Sequence, residues 1–265
     1  MNMGRKLAGL LAAVALVLAF AGGASADLGT LSAWFPMDDD AETTEVNEAV
    51  GDVDGTLSVN TDQRHSEDYV FGTGALSFNG DRMDVPHDSA LSFGANSFTI
   101  SMYLKTTDSA HNMMFKASGS DISYYLYSSG TTFRFAIKDT VMIMTDLSYG
   151  WITTGEWVHV ACVRNREYVD PETEESAPRL EIWIDGVLRA SDPDTRGNID
   201  NTQPFTIYTD YCGLIDDLAF YKSALSQEEI EFVRDNGVGT PIPEPGTMLL
   251  AGFGVLALLV ARKRR

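Results

Sequence analysis

FTISMYLKT, residues 98–106, decides the fold. Successive side chains of a strand point to opposite faces, so Phe98, Ile100, Met102 and Leu104 share one side while Thr99, Ser101 and Tyr103 share the other. The same period of two recurs in ALSFNG (75–80), NMMFKAS (112–118), SYYLYSS (123–129), TFRFAIK (132–138) and VMIMTD (141–146). It continues in EWVHVACVRN (156–165), RLEIWIDG (179–186), PFTIYTD (204–210) and CGLIDDLAFYK (212–222), with LSAWFPM (31–37) as the first strand. Turn residues separate most of these runs at the spacing of a sandwich. The acidic stretch REYVDPETEESAP (166–178) reads as a solvated hairpin insertion. One helix is predicted, in LSQEEIEFVRDNG (225–237). Ser226 is its N-cap, Glu229 completes a capping box, Ile230 and Val233 share a face, and Gly237 stands at the C′ position. No internal repeat and no linker divides this body, so it reads as one all-β domain with the helix as a lid.

Four stretches in order carry a family resemblance: GTGALSFNGDRMDVPHDSALSFGANSFTISMYLKT (72–106), GEWVHVACVRN (155–165), LEIWIDGVLRAS (180–191) and GLIDDLAFYKSALSQEEIEFV (213–233). Together they resemble the laminin-G-like, concanavalin A-like jelly rolls of bacterial surface proteins, a branch related to pentraxins. The resemblance covers roughly residues 31–236. It implies a two-sheet antiparallel jelly-roll sandwich over residues 27–237, with calcium as the candidate cofactor at its rim. Oxygen ligands suit that ion. Asn79 and Asp81, with Asp84 nearby, lie at a strand end in FNGDRMD, and Asp216 and Asp217 lie in the last strand. Asp81 and Asp216 rank first; turn and cap roles are the alternative. The pentraxin branch adds Asp121, although the partner loop before GLIDD is cut to YTDY with Asp210 alone.

Catalytic signatures do not emerge. Sandwich-fold glucanases carry Glu-x-Asp-x-x-Glu on one strand, so that alternate acids share a face; EIWIDG has Glu181 and Asp185 but no third acid. Asp216 and Asp217 are adjacent and are expected on opposite faces. The histidines, His65, His87, His111 and His159, have no Gly-x-Ser-x-Gly partner and no zinc spacing. His159 reads as a structural residue and Trp157 as a sheet-packing aromatic. The chain is therefore read as non-catalytic. Tyr125 and Tyr127 share a strand face and are the ligand-face candidates, with Tyr124 on the opposite side.

The ends read as addresses. Arg5 and Lys6 precede an apolar run, and Ala24 and Ala26 flank Ser25 at a small-residue cleavage site, so residues 1–26 form a secretory signal. Residues 238–245 are a linker that carries the motif Pro243, Glu244 and Pro245, and residues 246–265 are an apolar stretch with a basic end. As a helix, residues 246–261 reach roughly 24 Å, short for a hydrocarbon core of ~30 Å. The combination resembles the PEP-CTERM sorting signal. That implies processing by an exosortase, transient residence in the inner membrane, and delivery to the cell surface or extracellular matrix; a permanent single-span anchor is the alternative. Without the two basic residues of the leader and the four of the tail, the formal charge moves from −19 to −25. Such a body repels nucleic acid and is not drawn to acidic polysaccharide. Cys162 and Cys212 leave a disulfide and two buried thiols equally open. Three functions remain: recognition of an extracellular polysaccharide, adhesion to a surface protein, or a glycan-active enzyme with residues not recognised.

Overall fold

The computed structural model describes residues 31–108, 112–129, 131–138 and 142–240, which lie in one unit, Gly29–Thr240. The signal-site residues Ala24 and Ala26, the motif Pro243, Glu244 and Pro245, and the apolar tail lie outside the described residues. Among the described residues no helix is long and apolar enough to cross a membrane.

The short strands come first: β1 Leu31–Phe35, β2 Glu45–Val46, β3 Gly55–Leu57, β4 His65–Ser66, β5 Ala75–Asn79 and β6 Met83–Val85. Longer ones follow: β7 Phe98–Lys105, β8 Asn112–Ser118, β9 Asp121–Ser129, β10 Thr132–Lys138 and β11 Met142–Ser148. The chain then runs through β12 Val158–Asn165, β13 Arg179–Ile184, β14 Val187–Pro193, β15 Phe205–Ile207, β16 Cys212–Tyr221 and the helix α1, Gln227–Asn236. The first sheet has the order β14-β13-β12-β7-β16-β5-β4, with β1 also on β16. The second runs β11-β10-β9-β8-β15-β6-β3-β2. All pairings are antiparallel, so the sandwich expected from the alternation is the one observed.

Phe98, Ile100, Met102 and Leu104 face inward without exposure, opposite Arg164, Cys162, Val160 and Val158 of β12. The second sheet meets them with Met114, Tyr124, Leu126, Phe133, Phe135 and Ile137. Phe98 stacks on Phe93 at 4.3 Å between centroids and meets Phe135 edge-on at 6.0 Å. Each such side chain contributes about 1.5–3 kcal/mol when fully buried.

The outer residues of β7 are buried too. Thr99, Ser101 and Tyr103 lie beneath the chain that follows β16, and Thr99 Oγ1 donates to the Ser223 carbonyl and accepts from the Leu225 N–H. Ser226 and Glu229 form the expected capping box on α1. Ile230, Val233, Leu225 and Val238 then pack onto Ala161, Val163, Trp183, Ala219 and Tyr221. The central strands of the first sheet are thus covered on both faces. The second has no such cover among the described residues.

Between β14 and β15 the chain crosses from one sheet to the other, and two inward-facing cations hold it. Arg164 donates to Asp194 at 2.8 Å and to the carbonyls of Gly94, Arg196 and Gly197. From the opposite sheet, Lys116 donates to Asn201 and to the Gln203 carbonyl, the latter at 2.5 Å, beside His87 Nδ1. Both cations are fully buried. A disulfide is absent: Cys162 and Cys212 are free. Cys162 pairs across Ile100 to Phe220, eight residues along β16 from Cys212. That separates them by roughly 26 Å, far beyond the ~7 Å a disulfide spans.

Removing one member of a buried ion pair leaves the other uncompensated. Asp194→Ala should lower the unfolding free energy by roughly 3–5 kcal/mol, read from urea denaturation at unchanged slope. The double replacement Arg164→Met, Asp194→Leu should not recover that loss, because the carbonyls of Gly94, Arg196 and Gly197 then lose their donor. An unchanged midpoint for Asp194→Ala would show that the clamp does not hold the crossing.

Candidate functional site

On the open face of the second sheet, Tyr125 and Tyr127 of β9 stack on each other at 4.5 Å. Phe115 of β8 lies directly across from Tyr125 and packs on Tyr208 at 5.3 Å. Arg134 of β10 lies across from Tyr127, its guanidinium 5.7 Å from the ring centre. Beside these rings runs a groove of about 390 Å³, lined by Arg82, Asn112, Phe115, Ala117, Ser118, Gly119, Ile122 and Tyr125. Ala117, Ser118 and Gly119 keep one wall low.

Two irregularities in β8 build this groove. A register shift between Asn112 and Met114 turns Asn112 onto the face of Phe115, where simple alternation would separate them. A second shift lies between Lys116 and Ala117, just where Lys116 is anchored inside the sandwich. Tyr124, as expected, points the other way. It is fully buried and its hydroxyl donates to the Leu91 carbonyl at 3.2 Å. The sequence places Tyr125 and Tyr127 on one strand face, and the structure brings Phe115, Tyr208, Arg82, Asn112 and Arg134 beside them, which the sequence did not indicate. Alternation within NMMFKAS was the one available signal, and the bulge at Met113 breaks it.

The covered face contains one pair that resembles catalytic chemistry. Ser101 Oγ lies 2.9 Å from His159 Nε2. Both are buried under α1, His159 Nδ1 has no hydrogen-bond partner, and burial pushes the imidazole down to about 3. A base of this kind needs a third group on Nδ1 and an approach for substrate. This pair lacks the orienting acid and lies beneath a helix.

The four calcium candidates separate into two places. Asn79 pairs with Cys212 at the start of β16, and Asp216 is four residues further on, roughly 13 Å along the strand. Asp81 is nearly buried, and both its carboxylate oxygens accept from Arg64, which supplies the positive charge a cation would. Asp84 accepts from Arg82 and Thr206, and Asp121 from Gln203. Among the described residues no three His, Cys, Asp or Glu side chains come together as a metal-holding group. Asp81 is thus taken by Arg64, and Asn79 and Asp216 lie too far apart to share one ion.

Asp216 and Asp217 instead form a carboxylate hub with Asp38. A bulge in β16 and a positive φ of 51° at Asp217 break the strand alternation there. Asp216 Oδ2 accepts from the N–H groups of Val70 and Phe71, and Asp38 Oδ1 from those of Thr73 and Gly74. Asp217 accepts from the Trp34 indole at 2.8 Å and from the Val238 N–H. Gly72 is obligatory between them: its φ is +73°, and a Cβ would lie 2.3 Å from a carboxylate oxygen of Asp38. Asp216 Oδ1 is buried without a partner. Burial, with the nearby charges of Asp217 and Asp38, raises the Asp216 carboxyl to about 7 despite the two N–H donors.

A family model described as the concanavalin A-like lectin/glucanases superfamily matches residues 72–231, and one described as the PEP-CTERM protein-sorting motif matches residues 241–265. No curated protein matches the sequence significantly. Among solved structures, the binding domain of paraclostridial mosquitocidal protein 1 superposes with a TM-score of 0.58 at 16% identity, covering 78% of this chain and 52% of that one. The binding domain of botulinum neurotoxin serotype D gives 0.59 at 13% identity, covering 78% and 51%. Domain 4 of AbnA, a GH43 extracellular arabinanase from Geobacillus stearothermophilus, in complex with arabinotriose, gives 0.53 at 17% identity, covering 76% and 97%. The chain thus spans about half the length of the toxin domains it matches. At these identities the likeness is one of fold.

The hub makes stability depend on pH. Asp216 holds a proton in the folded chain that the unfolded chain releases above about pH 4. Its contribution is complete at low pH and disappears as pH rises through about 7, in the same sense as the raised carboxyl of Asp217. His159, held neutral by burial, works in the opposite sense below about pH 6.5, so the test is the difference between proteins: Asp216→Asn should gain in melting temperature relative to the parent as pH rises from about 4 to about 7. Parallel curves for the parent and the variant would refute this role.

Proposed function

The chain belongs to the concanavalin A-like lectin/glucanases superfamily, and from that premise we propose that it is an exported, non-catalytic recognition module holding extracellular glycan on the open face of its second sheet. The single observation that carries this is the inequality of the two faces. One is closed by α1 and its polar groups are buried. The other presents stacked aromatics beside a groove with an amide and two guanidiniums at hand. Aromatic rings accept the apolar face of a sugar, and polar neighbours accept or donate to its hydroxyls.

The structural neighbours support a binding role, since those named above are binding domains or a domain in complex with a saccharide. The sorting motif supports export, with an exosortase-type enzyme as the processing partner and the cell surface or matrix as the destination. A second reading, adhesion to a protein, is favoured by Trp151, Val187 and Leu188, which are exposed, with Arg189 4.0 Å over the Trp151 ring.

Retention of the full chain on immobilised polysaccharides distinguishes them. Under the glycan reading, Tyr125→Ala and Tyr127→Ala each weaken retention at least ~10-fold, about 1.4 kcal/mol, while the melting temperature moves by only a few degrees. Under the adhesion reading both variants behave as the parent, and Trp151→Ala removes binding to a protein partner.

A further inference from the structure

Resting on the reading that this face holds glycan, we propose that it selects neutral glycan chains over acidic ones. Both described cations of the face are already matched. Arg82 donates to Asp84 at 2.6 Å, and Arg134 lies 2.7 Å from Asp146. Lys116, the cation of β8, is turned inward and held by the Asn201 and Gln203 oxygens. Further carboxylates stand at the rim: Asp210 accepts from the Asn112 amide at 3.0 Å, and Asp121 accepts from Gln203.

An acidic glycan would have to take a guanidinium from its carboxylate. It would then leave that carboxylate unpaired beside its own anion, in a chain already carrying a formal charge of −19. A neutral sugar meets no such obstacle. An arginine–carboxylate pair keeps unused N–H donors and unused lone pairs, so it can exchange hydrogen bonds with hydroxyls without changing its own charge balance. The rings of Tyr125 and Tyr127 add contact area that is indifferent to charge.

Titration calorimetry of the full chain tests this, with linear arabinan and a β-glucan as neutral probes and alginate and polygalacturonate as acidic ones, each at low and at high salt. The expected result is at least ~10-fold tighter binding of a neutral probe, unchanged by salt. The double variant Asp146→Asn, Asp210→Asn should narrow the gap by raising affinity for the acidic probes several-fold at low salt. Equal or tighter binding of alginate or polygalacturonate, weakened by salt, overturns the selectivity and leaves the glycan reading standing. Binding of none of the four, with Tyr125→Ala indistinguishable from the parent, overturns both.

Discussion

The crossing from the first sheet to the second, through residues 194–204, is the point on which the molecule depends. A segment laid over the end of a hydrophobic sandwich carries carbonyl groups that lose their water, and each must find a donor. Arg164 and Lys116 provide those donors from opposite sheets, reaching the carbonyls of Arg196, Gly197, Asn201 and Gln203. The cations are tolerable inside because those oxygens, and the Asp194 carboxylate, surround them. The two sheets are thereby tied to each other at one end by polar contacts, while the Phe93, Phe98 and Tyr124 rings join them in the interior.

That tie also reaches the outer surface. Lys116 lies in β8 between Phe115, which lines the groove, and the bulge that sets the path of Ala117, Ser118 and Gly119. An inward anchor on one side of a strand fixes where the neighbouring outward side chains stand. The groove thus owes its shape to a buried ammonium and two register shifts more than to any loop. The carboxylate hub of Asp38, Asp216 and Asp217 does comparable work elsewhere, binding the 70–74 turn, Trp34 and the chain after α1 to the middle of β16.

The division of labour between the faces follows from α1. Once its capping box and apolar stripe set it on the first sheet, Ser101 and His159 lose access to solvent and cannot act as a nucleophile and base. Substrate has no approach to that pair, whereas the second sheet keeps its aromatic face open, which is why we propose it as the surface for contact. The arginines of that surface are paired with carboxylates of the same sheet, the basis of the proposed preference for uncharged partners. They present donors without presenting a net positive field.

The sequence by itself determined most strand faces, the helix and its cap, and the family. Those rest on local rules: alternation of side chains, capping chemistry and turn residues. It also placed Tyr125 and Tyr127 together and Tyr124 in the core, because a period of two holds within one strand. Only the tertiary structure decided which outer face is covered, that Asp81 belongs to Arg64 while Asp216 belongs to a hub with Asp38, and that Cys162 and Cys212 are far apart. It alone brought Asn112, Phe115, Tyr208 and Arg82 to the tyrosines. The physical reason is that bulges shift register without a local sequence mark, and that charge partners are chosen by distances between strands remote in the chain.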